Sequence, residues 1–305
     1  FYSFTVSAGV TIDEGDYPIP PVHDGFEFGC WTGYNGDPIY SDITITAKYY
    51  SSDVPPVNFI GYICVNPNGA AGCWGGFADY ALEQINCLVS APQSFAAASV
   101  GNKIYGFETN GKFFSIDTTE GMVLRYTGYK ANNTILAMAF DYTTNTLYAI
   151  ANVDNVRILY TVDRAVGTLT EVGAFDAEAK IHTLAIDADG NAYGIGYENA
   201  VLYGIDLETA HCTEIGSTGL QVAFVQSMTY DMNTDTIYWA HYYPTGDMYI
   251  VDPETAEVTC LGLIGGGAEV TGLLTLCDIE VPEPVAPEFT VRSIDGIDGT
   301  GLASI

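Results

Sequence analysis

A single period runs through this chain and constrains its fold more than any local motif. In the stretch Ile135–Asp163 three short apolar runs are separated by turn residues, and the same pattern returns before and after it. The tyrosine inside each second run falls at Tyr62, Tyr105, Tyr148, Tyr193 and Tyr238, in steps of 43, 43, 45 and 45 residues. The aspartate that closes each third run falls at Asp79, Asp117, Asp163, Asp206 and Asp252, in steps of 38, 46, 43 and 46. Two independent landmarks with one spacing mark a structural repeat.

A unit of about 40–45 residues with four short strands is the length of one propeller blade. First strands are read at 96–100, 136–140, 182–186 and 226–230. A fifth, at 270–276, has nothing behind it, while the earliest unit has its later strands but no first one. The sequence therefore predicts an all-β fold: a five-bladed β-propeller over 57–278, closed by its C-terminal strand so that the open edge is removed. Ala137 and Ala139, Thr183 and Ala185, Ser227 and Thr229, and Gly272 fall on one face at period two, which places small residues towards a crowded axis.

Residues 1–50 form a separate unit that begins in mid-strand at Phe1, as a cut through a longer protein would, and 51–56 is a linker with two prolines. Gly25-Phe26-Glu27-Phe28-Gly29-Cys30-Trp31, followed by Asp42-Ile43-Thr44-Ile45-Thr46-Ala47-Lys48-Tyr49, resembles the Listeria/Bacteroides (internalin-type B) repeat, with Cys30 as an extra residue before the tryptophan. That resemblance implies a truncated, small β-grasp-like module in the stalk of a bacterial surface protein. The repeats resemble propeller repeats of large extracellular proteins from gut Firmicutes and Bacteroidetes, through Ala139-Phe140-Asp141-Tyr142-Thr143-Thr144-Asn145-Thr146-Leu147-Tyr148-Ala149 and Gln226-Ser227-Met228-Thr229-Tyr230-Asp231. This likeness implies architecture and an extracellular location and transfers no catalytic residue. Beyond Cys277 an acidic, Pro-rich linker or tail is expected over 279–305.

Charge excludes one class of partner. Nine Lys and Arg stand against 38 Asp and Glu, a formal charge of -29, which repels nucleic acid and anionic membrane surfaces. The acidity reads either as solubility or as divalent-cation binding. No apolar run reaches the ~18 residues of a membrane span, so no membrane insertion is expected in this stretch. Seven cysteines lack paired zinc-site spacing. A cross-strand disulfide between Cys64 and Cys73 is expected, with Cys64–Cys277 as the competing pairing and reduced thiols as the alternative to both.

Asp141, Asp187 and Asp231 each end a first strand and could pass for glycosidase carboxylates. Their equivalent places in the repeat, each followed by turn residues, point to turn structure instead. Asp187 and Asp189 open a sequence like a calcium loop but lack its closing Glu, so calcium is a weak candidate against a tight hairpin, and no other cofactor or metal is implied. His182 begins an inner strand and reads as a satisfied polar residue. The repeat departs from its pattern at 239–247, where Trp239, His241, Tyr242 and Tyr243 offer a ligand-binding surface if exposed and interblade packing if not. With no catalytic signature, the expected function is a non-enzymatic extracellular module for protein or glycan binding in adhesion or presentation. The alternatives are a structural unit of a surface layer or filament, assembling through neighbouring modules, and less so a propeller glycosidase.

Overall fold

The computed structural model describes residues 6–34, 37–282 and 284; most of the expected 279–305 tail lies outside them. In the N-terminal unit β1 (Phe26–Thr32) pairs antiparallel with β2 (Thr46–Ser51). The β-grasp expectation is corrected here. A β-grasp sheet needs a helix across its face, and the described residues of this unit hold a two-stranded sheet, a 3-10 turn at Glu14–Asp16 and isolated bridges at Val10↔Ile39 and His23↔Phe26, with no α-helix among them. The extra residue of the motif is absorbed as a bulge between Phe28 and Cys30, at Gly29, where an added Cβ would strike the Tyr80 ring. Lys48 Nζ meets Glu83 at 2.8 Å and Tyr50 packs on Tyr80, which seats this hairpin against the repeats.

The repeats form five four-stranded antiparallel sheets. β3 (Asn58–Val65), β4 (Cys73–Ala78) and β5 (Ala81–Ser90) belong to the first. The second is β6 (Ser94–Val100), β7 (Lys103–Glu108), β8 (Lys112–Asp117) and β9 (Val123–Lys130). The third is β10 (Thr134–Asp141), β11 (Thr146–Val153), β12 (Val156–Val162) and β13 (Leu169–Ala174). The fourth is β14 (Ala185–Ile186), β15 (Ala192–Ile195), β16 (Val201–Ile205) and β17 (Cys212–Ser217). The fifth is β18 (Ser227–Asp231), β19 (Thr236–Tyr242), β20 (Gly246–Val251) and β21 (Val258–Leu263). β22 (Glu269–Thr275) lies beside β3 in the first sheet.

This is a five-bladed β-propeller, but the expected closure is corrected. The five sheets stay separate and open, each with an inner and an outer edge; the backbone ladder of β22 lies within its own sheet, and β22 reaches its neighbours through side-chain bonds, from Leu273 N–H to Ser227 Oγ (2.7 Å) and from the Thr271 hydroxyl to Ser94 O (2.6 Å). Side-chain packing joins one sheet to the next. Its pattern also refines the reading of the small residues, which pack against the neighbouring sheet, while Ala139, Ala185 and Thr229 line the axis as well. Ala137 and Ala139 pack with Leu184 and Ile186, while Met138 and Phe140, on the opposite face, pack with Ala96 and Ala98. Each inner strand thus sets a large face into the small face of its neighbour, which fills the narrow end of the wedge between sheets. The periodic tyrosines sit on second strands opposite small inner residues, as in Tyr105↔Ala98, Tyr148↔Ala139 and Tyr238↔Thr229.

The third-strand aspartates hold turns. Asp206 Oδ1 accepts from the N–H of Glu208 (2.8 Å) and Thr209 (3.1 Å), and Asp252 Oδ1 does the same with Glu254 (2.8 Å) and Thr255 (3.1 Å).

Both expected disulfide pairings are replaced by another. Cys73 is bonded to Cys87, with Cα atoms 5.9 Å apart. Ile63, not Cys64, stands opposite Cys73, and side chains alternate along a strand, so Cys64 points to the other face. Cys277 lies beyond Thr275, which is opposite Phe59 at the far end of β3 from Cys64. A non-reducing peptide map is therefore expected to link Cys73 to Cys87, with Cys30, Cys64, Cys212, Cys260 and Cys277 alkylated; a linked Cys64 would contradict this arrangement.

Candidate functional site

The inner strands enter at one rim of the ring and leave at the other, and the two rims differ in chemistry. At the exit rim stand the carboxylates considered above. Asp141 accepts from both N–H and both hydroxyl groups of Thr143 and Thr144, and Asp231 from the N–H and hydroxyl of Thr234. Asp187 accepts from Asp189 N, Asn191 N and Nδ2, and the Tyr193 hydroxyl. That is the bonding of a hairpin, and no group of three or more metal-ligating side chains occurs among the described residues. The axial cavity at this rim has an empty volume of about 440 Å³, partly open to solvent. Tyr142, Tyr230, Thr275 and Cys277 are its polar lining with Ser99 and Thr229, and no carboxylate lines it. Its most polar feature is internal: the Cys277 thiol donates to the Tyr142 oxygen at 2.9 Å.

The entry rim is irregular where the fourth sheet meets the fifth. Connections into inner strands run over 91–93, 131–133 and 264–268, but over 175–184 and 218–226 on either side of the fourth sheet. β14 is correspondingly short. The Thr183 hydroxyl accepts the Ile195 N–H at 2.9 Å, in place of ladder pairing, and the contact continues through backbone bonds from His182 N to Ile195 O (3.0 Å) and from Tyr197 N to Lys180 O (3.2 Å). Gly196 lets this crossing occur, since a Cβ there would lie 2.5 Å from Ala179 O. The result is a small cleft lined by His182, Thr183, Tyr197, Val222, Phe224 and Gln226, with Ile195 and Gly196 at its base.

His182 is 7% exposed, stacks on Tyr197 at 4.9 Å, and neither ring nitrogen has a hydrogen-bond partner. It is not the satisfied polar residue that the sequence suggests. Burial, and after it the charge of nearby Arg157, push its pKa down to about 4, so the ring is neutral at physiological pH. Arg157 itself is bonded to the Asn152 carbonyl, leaving its Nε unpartnered. Gln226 donates its amide nitrogen to Ala223 O (3.2 Å) and Tyr242 O (3.4 Å), which leaves its carbonyl oxygen as the acceptor.

The residues expected to form a surface at 239–247 divide. Trp239 is 0% exposed and packs with Met228, Ala185 and Leu202 between the fourth and fifth sheets. His241, two residues on and therefore on the same face, is 4% exposed; its Nε2 donates to Gln221 O at 2.6 Å, and burial lowers its pKa. Neither presents a stacking surface. Tyr243 is 44% exposed, and Tyr242 is half-buried against Phe224. Phe224 is the residue that sequence reading missed. It is 61% exposed and holds a left-handed φ of +61°, costly for any side chain with a Cβ. The available signal was the long, unpatterned connection that carries it. Phe224→Gly is expected to retain the fold and raise stability by up to about 1 kcal/mol through relief of that conformation, as thermal denaturation would show.

Comparison with known proteins extends to fold alone. No family model matches the sequence, and no curated protein does. Among solved structures, a chain of a nidogen/laminin complex is similar at 8% identity, with 73% of this chain and 99% of that one covered and a TM-score of 0.50. A structural genomics protein of unknown function from Bacteroides thetaiotaomicron is similar at 13% identity and a TM-score of 0.45, and TolB from Acinetobacter baumannii at 10% and 0.44. The match covers 70% of this chain and 55% of the Bacteroides one, so the chain spans about half of that protein's length; for TolB the shares are 76% and 78%. Neither the internalin-type repeat nor a named propeller repeat family is identified by these matches.

Proposed function

We propose that this chain is a non-enzymatic binding module of a bacterial cell surface, taking a protein or glycan ligand at the entry rim between the fourth and fifth sheets. One observation carries the reading: exposed Phe224, packed on Tyr242, stands at a cleft lined by Gln226 and by His182, whose two ring nitrogens have no protein partner. Aromatic area beside a few fixed polar groups is the composition of a recognition site. The propeller supplies a rigid frame, and the two long connections supply the variable surface. No described helix is long and apolar enough to cross a membrane. The exit-rim carboxylates support the same reading, because each is occupied by its own turn and none lines the axial cavity.

The test is a glycan and mucin array together with pull-down of surface proteins, using the whole chain and the Phe224→Gly variant. Saturable binding that the variant weakens is expected. Hydrolysis of any member of a glycan panel would overturn the non-enzymatic reading, and undiminished binding by the variant would move the site elsewhere.

A further inference from the structure

We infer that the outer edge of the fifth sheet is a docking edge, at which an extended, cationic segment of a protein partner adds to β21 as a further strand. The site is separate from the entry-rim cleft and stands or falls independently of the reading given above.

Every sheet of the ring ends in an outer strand, β5, β9, β13, β17 or β21, with no strand beyond it. Every second residue of such a strand turns its N–H and C=O outwards, so an open edge invites a further strand unless something guards it. Charged side chains are one such guard. They stand in β5 (Glu83), β9 (Arg125 and Lys130), β13 (Glu171) and β17 (Glu214), but β21, Val258-Thr259-Cys260-Leu261-Gly262-Leu263, has none.

Equivalent positions differ in kind. Tyr160 stands opposite Glu171, Tyr203 opposite Glu214 and Tyr249 opposite Cys260, and in all three sheets the following residue, Val172, Ile215 or Leu261, is the extra one of a bulge. Val172 and Ile215 pack on the wedge cores, whereas Leu261 is 38% exposed. At the end of the strand Ala174 and Ser217 give way to Leu263, which is 46% exposed. Cover is missing as well as charge. A Cβ on Gly173 would lie 2.8 Å from Thr209 O and one on Gly216 3.1 Å from Thr255 O, because the turns 206–211 and 252–257 of the next sheet reach over these outer strands. The fifth sheet is followed by the first, whose corresponding turn is only 79–80. Among the described residues a Cβ on Gly262 would meet only Leu82, at 4.0 Å.

Charge names the occupant. Over 227–263 the fifth sheet carries Asp231, Asp235, Asp247, Asp252, Glu254 and Glu257 and no Lys or Arg. They reach both ends of β21, since Glu257 precedes Val258 and Asp247 stands opposite Leu263. A second copy pairing β21 with β21 would bring two such sets together, with a net charge of -29 on each chain. An extended segment with apolar residues at alternate positions and Lys or Arg at its ends meets both the exposed leucines and the carboxylates.

A phage-displayed library of random peptides is selected against the whole chain, and hydrogen exchange is followed with the tightest peptide bound. The enriched sequences are expected to alternate apolar and polar residues and to carry Lys or Arg at their ends, with exchange slowed across 258–263 and unchanged at 169–174 and 212–217. Leu261→Lys, which gives β21 the charge that its counterparts carry, is expected to keep the melting temperature of the parent and to weaken the peptide about tenfold or more. Should it melt lower, Leu263→Lys at the more exposed end takes its place. No enrichment, acidic or unpatterned sequences, protection elsewhere, or equal binding to the variant overturns the proposal. Protection of 258–263 without peptide, in a chain that sediments as a dimer, gives the edge to a second copy and overturns it as well. Array or pull-down binding that Phe224→Gly weakens, with β21 unmoved by any peptide, leaves the entry-rim reading standing and removes this one.

Discussion

Trp239→Ala is expected to destabilise the chain by about 3–5 kcal/mol and to lower the melting temperature by roughly 6–20 °C. The indole is fully buried, pairs across the ladder with Met228 and Tyr249, and packs with Ala185, Ile195 and Leu202 of the neighbouring sheet. His241 and Tyr249 meet it edge-on or tilted at 4.9 and 6.0 Å. Truncation empties the wedge between two sheets whose backbones are fixed by their own hydrogen bonds, so the space cannot collapse, and the cavity adds to the lost transfer energy. Tyr243→Ala, four residues on and 44% exposed, is expected to change stability by no more than about 0.5 kcal/mol. Chemical denaturation of the two variants separates strand packing at Trp239 from surface at Tyr243, just beyond the end of β19. A Trp239→Ala protein as stable as the parent would return this residue to the rim.

What could be read from the sequence was whatever the repeat duplicates. Tyr62, Tyr105, Tyr148, Tyr193 and Tyr238 all lie on second strands because each must meet a small inner-strand residue, a need renewed in every sheet. The small residues are legible, but their aim only in part: Ala139, Ala185 and Thr229 line the axial cavity, and the same face also packs on the next sheet. Period two shows that Ala137 and Ala139 share a face; only the radial setting of the sheets shows that this face meets Leu184 and Ile186. The disulfide was missed for a related reason. A hairpin suggests which strands are adjacent, but the partner of Cys73 came from the next strand, and register decided it. The cleft was least legible of all. His182 was placed in a regular strand, whereas the Thr183 side chain breaks that strand by taking the Ile195 N–H, and periodicity cannot register such a substitution of side chain for backbone. Phe224 lies in a connection with no pattern to extrapolate.

Asp141→Ala is expected to cost about 2–4 kcal/mol, and the loss should depend on pH. The carboxylate is buried and takes four hydrogen bonds: Thr143 N–H at 2.8 Å, Thr143 hydroxyl at 2.7 Å, Thr144 hydroxyl at 2.5 Å and Thr144 N–H at 3.4 Å. Burial by itself would raise its pKa. The bonds from Thr144 and Thr143 outweigh burial, and the carboxyl ionises below its ordinary value. A folded pKa below the unfolded value of about 3.9 means that the stabilisation is fully present above that value and is lost as pH falls through the folded pKa. The difference in stability between parent and variant should therefore be constant from neutral pH down to about 5 and shrink in stronger acid. Relief of repulsion among the many other carboxylates also changes stability with acid, but both proteins share it, so it cancels in the difference. Denaturant melts of the two proteins across this range provide the measurement. A gap that stays flat below the ordinary carboxylate range would mean that the turn is held without the charge, and a gap below about 0.5 kcal/mol at neutral pH would mean that Asp141 does not anchor the exit of its inner strand. The same residue type closes the inner strand of the fifth sheet, where Asp231 holds Thr234, so Asp231→Ala is expected to lower stability at neutral pH by a smaller amount, in proportion to two bonds instead of four.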